Sequence, residues 1–179
     1  MNSRRNDVLT VVPLRVDITK RRDGSAVLRC TRADGSVTWQ RQDGHQARFF
    51  PLHDLTHLAV EAGIGARAGF FGLIARGWDI SETTGKGARG NLPVEALFVE
   101  CLVSIIERGE IGRAPLDVDE VNEQMVRLVV EGQTSITMPL TADQLRHIHE
   151  RRDAFHEQWA ILAEDGTLSL TFPPDDTSG

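Results

Sequence analysis

Two Asp-Gly pairs near the start of the chain constrain its fold more than any other feature. They separate three short runs rich in β-branched residues, LRVDITK, AVLRCTR and VTWQRQ. An Asp-Gly pair between two such runs is the strongest short-range signal for a β-hairpin. The sequence therefore predicts a three-stranded antiparallel meander from Leu14 to about Gln40. Leu14, Val16 and Ile18 alternate along the first strand and are expected to face a covered side of the sheet.

After the meander, the spacing of apolar residues changes to a helical period. Leucines and alanines recur at steps of three and four and predict a helix from about Pro51 to Ala62, with Pro51 in its first turn. Further helices are expected in GFFGLIARGW, from about Leu92 to Arg108, from Asp117 to about Val130, and from Thr141 to about Ala163. The helix after Leu92 is apolar over more than half its circumference, so we expect it to be the central buried helix.

The last two predicted helices begin with capping boxes. Asp117 is followed three residues later by Glu120, and Thr141 is followed by Gln144, so each pair can satisfy free backbone N–H groups reciprocally. The sequence then alternates once more in GTLSLTF, which predicts a final strand. A lone terminal strand is unstable, so this strand is expected to join the meander.

These elements predict a single α+β domain at residues 1–172. Its sheet would be four-stranded and mainly antiparallel, made of the three N-terminal strands and the C-terminal strand, with about five covering helices. Residues 173–179, PPDDTSG, are expected to form a disordered tail.

Charge and composition exclude several classes of function. The chain carries 20 Lys and Arg against 26 Asp and Glu, a net charge of -6, which disfavours a nucleic-acid partner. It contains no signal peptide and no apolar run of about 20 residues, so we expect a cytoplasmic protein without a membrane span. Cys30 and Cys101 are too few for a disulfide framework, and no nucleophile elbow, CxxC or dinucleotide fingerprint is present.

The segment FFPLHDLTHLAVEAG, residues 49–63, is the candidate functional site. His53, His57 and Glu61 lie four residues apart on one flank of the predicted helix. Histidines at this spacing have Cβ atoms about 6 Å apart, so both imidazoles can reach one divalent ion, as in helical HExxH sites. Asp54 could be a further ligand, a partner that orients a histidine, or a base. The expected ion is zinc, with iron or manganese as the alternatives.

A further ligand is expected from another element. Glu95 projects from the predicted buried helix, although it could instead satisfy free N–H groups in that helix's first turn. His149 and His156, on one side of the last helix, are the next candidates. GKGARGN, residues 85–91, could cradle an anion or be a mobile loop.

Two hypotheses about function follow from this segment. In the first, the chain is a divalent-metal-binding protein, and its His53, Asp54 and His57 helix serves a metal-dependent hydrolase acting on a small molecule. In the second, it is a non-enzymatic domain that binds a small ligand or a protein, and its histidine pair is structural.

The same residues carry two resemblances. FFPLHDLTHLAVEAG, followed by GFFGLIARGWD and preceded by RDGS and TWQR, resembles an uncharacterised family of bacterial proteins marked by an HDLxHxxVE segment. That resemblance covers about residues 23–80 and implies no activity. His53, Asp54 and His57 also resemble, more distantly, the HDxxH zinc motif of ubiquinone-biosynthesis proteins, which implies zinc-assisted decarboxylation or hydroxylation. The glutamate of that motif would fall at Gly69, so only Glu61 or Glu95 could replace it.

Overall fold

A four-stranded antiparallel sheet forms the base of the fold. The computed structural model describes residues 13–85, 89–110, 116–136 and 138–173. The strands are β1 (Leu14–Lys20), β2 (Ala26–Thr31), β3 (Val37–Gln42) and β4 (Thr167–Phe172), in the order β3-β2-β1-β4. The C-terminal strand β4 pairs antiparallel with β1, as expected. The predicted α+β class and four-stranded sheet are confirmed.

The Asp-Gly turns form by the chemistry that the sequence predicts. Gly24 and Gly35 have φ angles of 80° and 82°, a left-handed conformation that glycine adopts without steric cost. The aspartate before each glycine accepts a hydrogen bond from the backbone N–H two residues later, at Ser25 and at Ser36. Both turns therefore close locally and set the register of the meander.

Five α-helices follow the meander within the described residues. They are α1 (His45–Ile64), α2 (Phe70–Ala75), α3 (Val94–Glu110), α4 (Val118–Val130) and α5 (Ala142–Ile161), with one 3₁₀ turn at Ile80–Glu82. The two capping boxes are present: the Asp117 side chain accepts from Glu120 N, and the Thr141 side chain accepts from Gln144 N. No described helix is long and apolar enough to cross a bilayer.

Helix α1 begins earlier than the apolar spacing predicts. It starts at His45, so Pro51 lies inside the helix as its seventh residue rather than in its first turn. The added turns contain mostly exposed residues, which leave no apolar period in the sequence. Because proline has no N–H, the helix lacks the bond from position 51 to the Ala47 carbonyl.

Two hydrophobic cores meet at α1. The first lies between the sheet and α1, α2 and α5, and the second lies among α1, α3, α4 and α5. Every residue from Asp54 to Glu61 is buried, so this middle part of α1 is enclosed by the two cores. Helix α3 is buried along most of its apolar face, as expected, and only Val94 and Leu97 near its start remain exposed. Polar side chains on α1 between residues 54 and 61 must therefore find partners inside the protein.

The last prediction about the chain's organisation concerns its end. Of the tail expected at residues 173–179, only Pro173 lies within the described residues.

Candidate metal centre

Helix α1 brings His53 and His57 together on one flank, as their spacing predicts. Their ring centroids are 4.7 Å apart with the rings edge to face. His53 also stacks on Phe49, one turn earlier, at a centroid distance of 5.0 Å. The His57 side chain is only 2% exposed and that of His53 is 18% exposed. The pair is therefore held by packing rather than by a flexible loop.

Two glutamates of α3 face this histidine pair. His57 Nε2 lies 3.5 Å from Glu100 Oε1, and His53 Nδ1 lies 3.0 Å from Glu107 Oε1. One potential ligand atom from each of His53, His57 and Glu100 lies within 4.8 Å of the other two. Two imidazoles and a carboxylate are a ligand set that holds divalent metal ions in proteins. These three residues, called the His-His-Glu cluster below, could hold one ion.

The His-His-Glu cluster would contract slightly around an ion. Donor atoms bound at about 2.1 Å from zinc are at most about 4.2 Å apart. The separations of up to 4.8 Å therefore have to shorten. Glu100 has the freedom to make this movement, since its side chain is 45% exposed, whereas His57 is fixed.

Glu61 lies behind His57 and has a structural task of its own. Its carboxylate is fully buried and accepts hydrogen bonds from the backbone N–H groups of Phe71 and Gly72, in the first turn of α2. Glu61 Oε1 is 3.5 Å from His57 Nδ1, which is a close charge contact without hydrogen-bond geometry. Glu61 therefore anchors α2 and stands behind the imidazole, on the side away from Glu100.

Glycine is required at position 69 by the same carboxylate. A Cβ added to Gly69 would lie 2.5 Å from Glu61 Cδ and 2.6 Å from its Oε2. The carboxylate of Glu61 thus fills the space that a side chain at position 69 would need. This contact connects the end of the histidine segment to the start of α2.

Asp54 lies next to His53 in the chain but takes a different partner. It is 5% exposed, and its Oδ2 accepts a hydrogen bond of 2.9 Å from Gln42 Nε2 at the end of β3. Burial raises the pKa of Asp54 to about 6, although the Gln42 hydrogen bond opposes this shift. Asp54 is not part of the His-His-Glu cluster, but it lines a cleft beside that cluster.

Opposite charges around His57 control its protonation in the absence of an ion. Burial alone would lower the pKa of His57, but the carboxylates of Glu100 and Glu61 outweigh it and raise the pKa to about 10. For Glu100, burial acts to raise the pKa, but His57 outweighs it and holds the pKa below its usual value. Without a metal, His57 is thus an imidazolium between two carboxylates.

Two open clefts meet at the His-His-Glu cluster. One cleft lies between α1, α3 and α4 and has a volume of about 730 Å³. It is called the arginine cleft, because Arg48 and Arg108 line it. The second cleft lies beside β3 and the 3₁₀ turn and has a volume of about 590 Å³. It is called the tryptophan cleft, because Trp39 lines it. His53 and Glu100 line both clefts, and His57 and Asp54 line the tryptophan cleft. A small molecule can therefore reach the cluster from outside.

The remaining residues singled out in the sequence lie elsewhere or at the rim. Glu95 accepts a hydrogen bond from Arg67 N at 3.0 Å, a backbone contact outside its own helix. His156 Nε2 is 3.1 Å from the Leu52 carbonyl and lines the arginine cleft with His53, whereas His149 lines neither cleft.

The glycine-rich loop is described only in part. Arg89 donates to Glu82 Oε2 and to the Gly77 carbonyl, and its guanidinium lies over the Trp78 ring. Residues 86–88, including Lys86, lie outside the described residues. Arg89 is therefore occupied within the fold rather than presented to an anion.

Sequence reasoning missed Glu100 and Glu107. Their signal was present: Glu100, Ser104 and Glu107 recur at steps of four and three on a largely apolar helix, which is the spacing of one helix face. Only the packing of α3 against α1 shows that this face meets the histidines.

Comparison with known proteins adds no assignment. The chain matches no protein-family model, and neither the curated proteins nor the solved structures contain one that is significantly similar to it. The two resemblances based on HDLxHxxVE and HDxxH therefore stay predictions.

Proposed function

We propose that His53, His57 and Glu100 bind one divalent ion and that the protein is a metal-dependent hydrolase acting on a small molecule. Zinc is the ion that best fits two imidazoles and one carboxylate, with iron and manganese as alternatives. A set of three protein ligands leaves a coordination position for water or substrate, which is typical of catalytic rather than structural zinc sites.

One observation carries this proposal: each histidine has a carboxylate behind it on its Nδ1 side. Glu107 is hydrogen-bonded to His53 Nδ1 at 3.0 Å, and Glu61 makes a longer charge contact of 3.5 Å with His57 Nδ1. Metal-binding histidines commonly have a carboxylate on the ring nitrogen that does not bind the ion, which fixes the ring and strengthens the ligand. The Nε2 atom of each ring is then the one available to the ion.

The chemistry supplied by a bound ion would be the activation of water at neutral pH. The residues of this chain would position the substrate and manage its protons. Asp54 is suited to accept or donate a proton, because it is a buried carboxylate that lines the tryptophan cleft beside His57. The Gln42 hydrogen bond holds one of its oxygens and leaves the other for a proton.

A second candidate function is supported by the electrostatics of the metal-free site. His57, whose pKa is raised to about 10, lies 3.5 Å from both Glu61 and Glu100, so these carboxylates balance the charge of its imidazolium without an ion. In that case the histidine pair is structural, and the chain is a non-enzymatic ligand-binding or interaction domain. Metal content separates the two candidates directly.

The first prediction concerns metal content. Protein purified without a histidine tag and dialysed against a weak chelator should hold about one equivalent of zinc, iron or manganese by mass spectrometry, since three ligands converge. The double variant His53→Ala/His57→Ala should lose the bound ion. Glu107→Ala should keep the site but weaken its affinity by about 10 to 100 fold, the usual effect of losing the partner of a metal-bound histidine.

Matched controls separate these effects from general damage. His147→Ala removes an exposed imidazole outside both clefts, and Glu123→Ala removes an exposed glutamate of α4; both should leave metal content unchanged. Wild-type protein that is metal-free and takes up none of the three ions when they are added back would contradict the metal proposal and support the structural histidine pair.

A further inference from the structure

The packing of α1 against α3 brings two arginines to one end of the arginine cleft. His57 meets Glu100 and His53 meets Glu107, so the two helices run antiparallel at this contact. Continuing in the same direction, Arg48 lies five residues, about 7.5 Å of helix, before His53. Arg108 lies eight residues, about 12 Å, beyond Glu100. Both arginines line the cleft, on the side of the His53–Glu107 contact that faces away from His57 and Glu100.

These arginines have no acidic partner within the described part of the chain. Arg108 Nε donates to the Ser104 carbonyl at 3.0 Å, which orients the guanidinium and leaves its two terminal nitrogens for a ligand. Most other described arginines are matched by carboxylates, for example Arg41 by Asp23 and Asp43, and Arg146 by Asp143 and Glu150. These two guanidinium groups line one cleft, and its two carboxylates, Glu100 and Glu107, lie against His57 and His53, so both arginines are left to contact an anion there.

The wall of the arginine cleft between Arg48 and His53 exposes two large apolar side chains. Phe49 and Leu52 of α1 are 45% and 36% exposed, although both are large apolar side chains. Leu128 of α4 and Cys101 of α3 complete this part of the lining. The cleft therefore presents two guanidinium groups, an exposed apolar surface beside Arg48, and the imidazole and carboxylates of His53, Glu100 and Glu107. Its volume of about 730 Å³ is in the range of small-molecule sites.

We propose that the arginine cleft binds an amphipathic organic anion. Its carboxylate or phosphate would contact Arg48 and Arg108, its apolar body would lie against Phe49 and Leu52, and its far end would reach His53 and Glu100. As the identity of the substrate, this inference rests on the hydrolase proposal: the bond to be cleaved would lie next to His53, about 7.5 Å of helix from Arg48. The binding of the anion itself requires only the cleft.

The second prediction tests this inference by calorimetric titration. Octanoate, octyl phosphate and 1-octanol share one apolar chain and differ only in the headgroup, and each is titrated into zinc-loaded and metal-free protein. We expect at least one of the two anions to bind about tenfold or more tightly than octanol, because only the anions form charge-assisted bonds with guanidinium. The stronger of the two anions identifies the headgroup as carboxylate or phosphate.

Charge-matched variants locate the site. Arg48→Gln and Arg108→Gln should each weaken binding of the preferred anion by about tenfold. Arg21→Gln removes the same charge from an exposed position outside both clefts and should leave it unchanged. Equal binding of octanol and the anions, or unchanged binding in both cleft variants, would overturn the proposal. Zinc content is measured on the same samples, so that the two proposals are tested separately. Zinc retained without anion binding overturns only the anion inference. Anion binding without zinc uptake supports the anion inference and overturns the metal proposal.

Discussion

Glu61 shows how one side chain can join two parts of a protein. It is fully buried, it accepts hydrogen bonds from the N–H groups of Phe71 and Gly72, and it lies 3.5 Å from His57. A buried carboxylate without partners would be costly, so these donors are what makes its position possible. The side chain therefore ties the position of His57 to the start of α2.

The third prediction, at the scale of single residues, concerns Gly69. Gly69→Ala should destabilise the metal-free protein by about 1–3 kcal/mol, because the added methyl group overlaps a carboxylate that cannot move away. The backbone at position 69, with φ of -73°, accepts alanine without strain, so the cost is purely steric. Free energies of unfolding from urea titration measure it.

A double-mutant cycle provides the control for this prediction. In a Glu61→Ala background the overlapping atoms are gone, so Gly69→Ala should cost much less than in the wild type. An equal cost in both backgrounds would show that the methyl group meets something other than Glu61.

At the scale of elements, α1 combines a core helix and a functional helix. One side of it packs on the sheet and another packs on α3 and α5, and the stripe from Phe49 through His53 and His57 faces the clefts. Residues of this stripe are held by the same packing that stabilises the two cores. The site should therefore be rigid, which favours the selective binding of an ion or ligand.

The fourth prediction concerns the start of α5. Thr141→Ala should lower the free energy of unfolding by about 1 kcal/mol, because the Thr141 side chain accepts from Gln144 N and no replacement acceptor is introduced. Thr141→Ser keeps the hydroxyl and should restore most of this stability. Urea titration compares the three proteins, and a Thr141→Ala protein as stable as the wild type would show that the cap contributes nothing.

At the scale of the whole molecule, the two ends of the described chain meet in one sheet. β1 pairs with β2 on one side and with β4 on the other, so β4 covers an edge of the central strand. Leu168 and Phe172 of β4 are buried in the sheet-facing core together with residues of α1 and α2. The four-stranded sheet is therefore incomplete until the last strand pairs with β1.

The fifth prediction is that removal of residues 166–172, with the chain after them, prevents cooperative folding. The sheet would lose a strand, and the core would lose two buried apolar side chains. Thermal unfolding followed by circular dichroism measures the effect. A truncation after Pro173, which keeps β4, is the matched control and should unfold as the full chain does. A cooperative transition at the normal temperature in the shorter chain would show that β4 is dispensable.

The sequence by itself determined the elements whose signals are local. Each Asp-Gly turn is closed by an aspartate that bonds two residues ahead, and each capping box by a side chain that bonds three residues ahead, so neighbouring residues suffice to predict them. The i, i+4 contact of His53 and His57 follows from helix geometry in the same way. The start of α1 could not be predicted so well, because its first turns are mostly exposed and carry no apolar period.

Only the tertiary structure decided what the histidines face. Glu100 and Glu107 are 43 and 54 residues away in sequence from His57 and His53, and no local pattern connects them. The meeting depends on how α1 and α3 cross, which is set by the apolar side chains between them rather than by the polar residues that come into contact. The same packing turned Glu61 towards α2 and Glu95 towards Arg67. A sequence specifies which faces its helices have, but the partner of each face is fixed only when the whole core is packed.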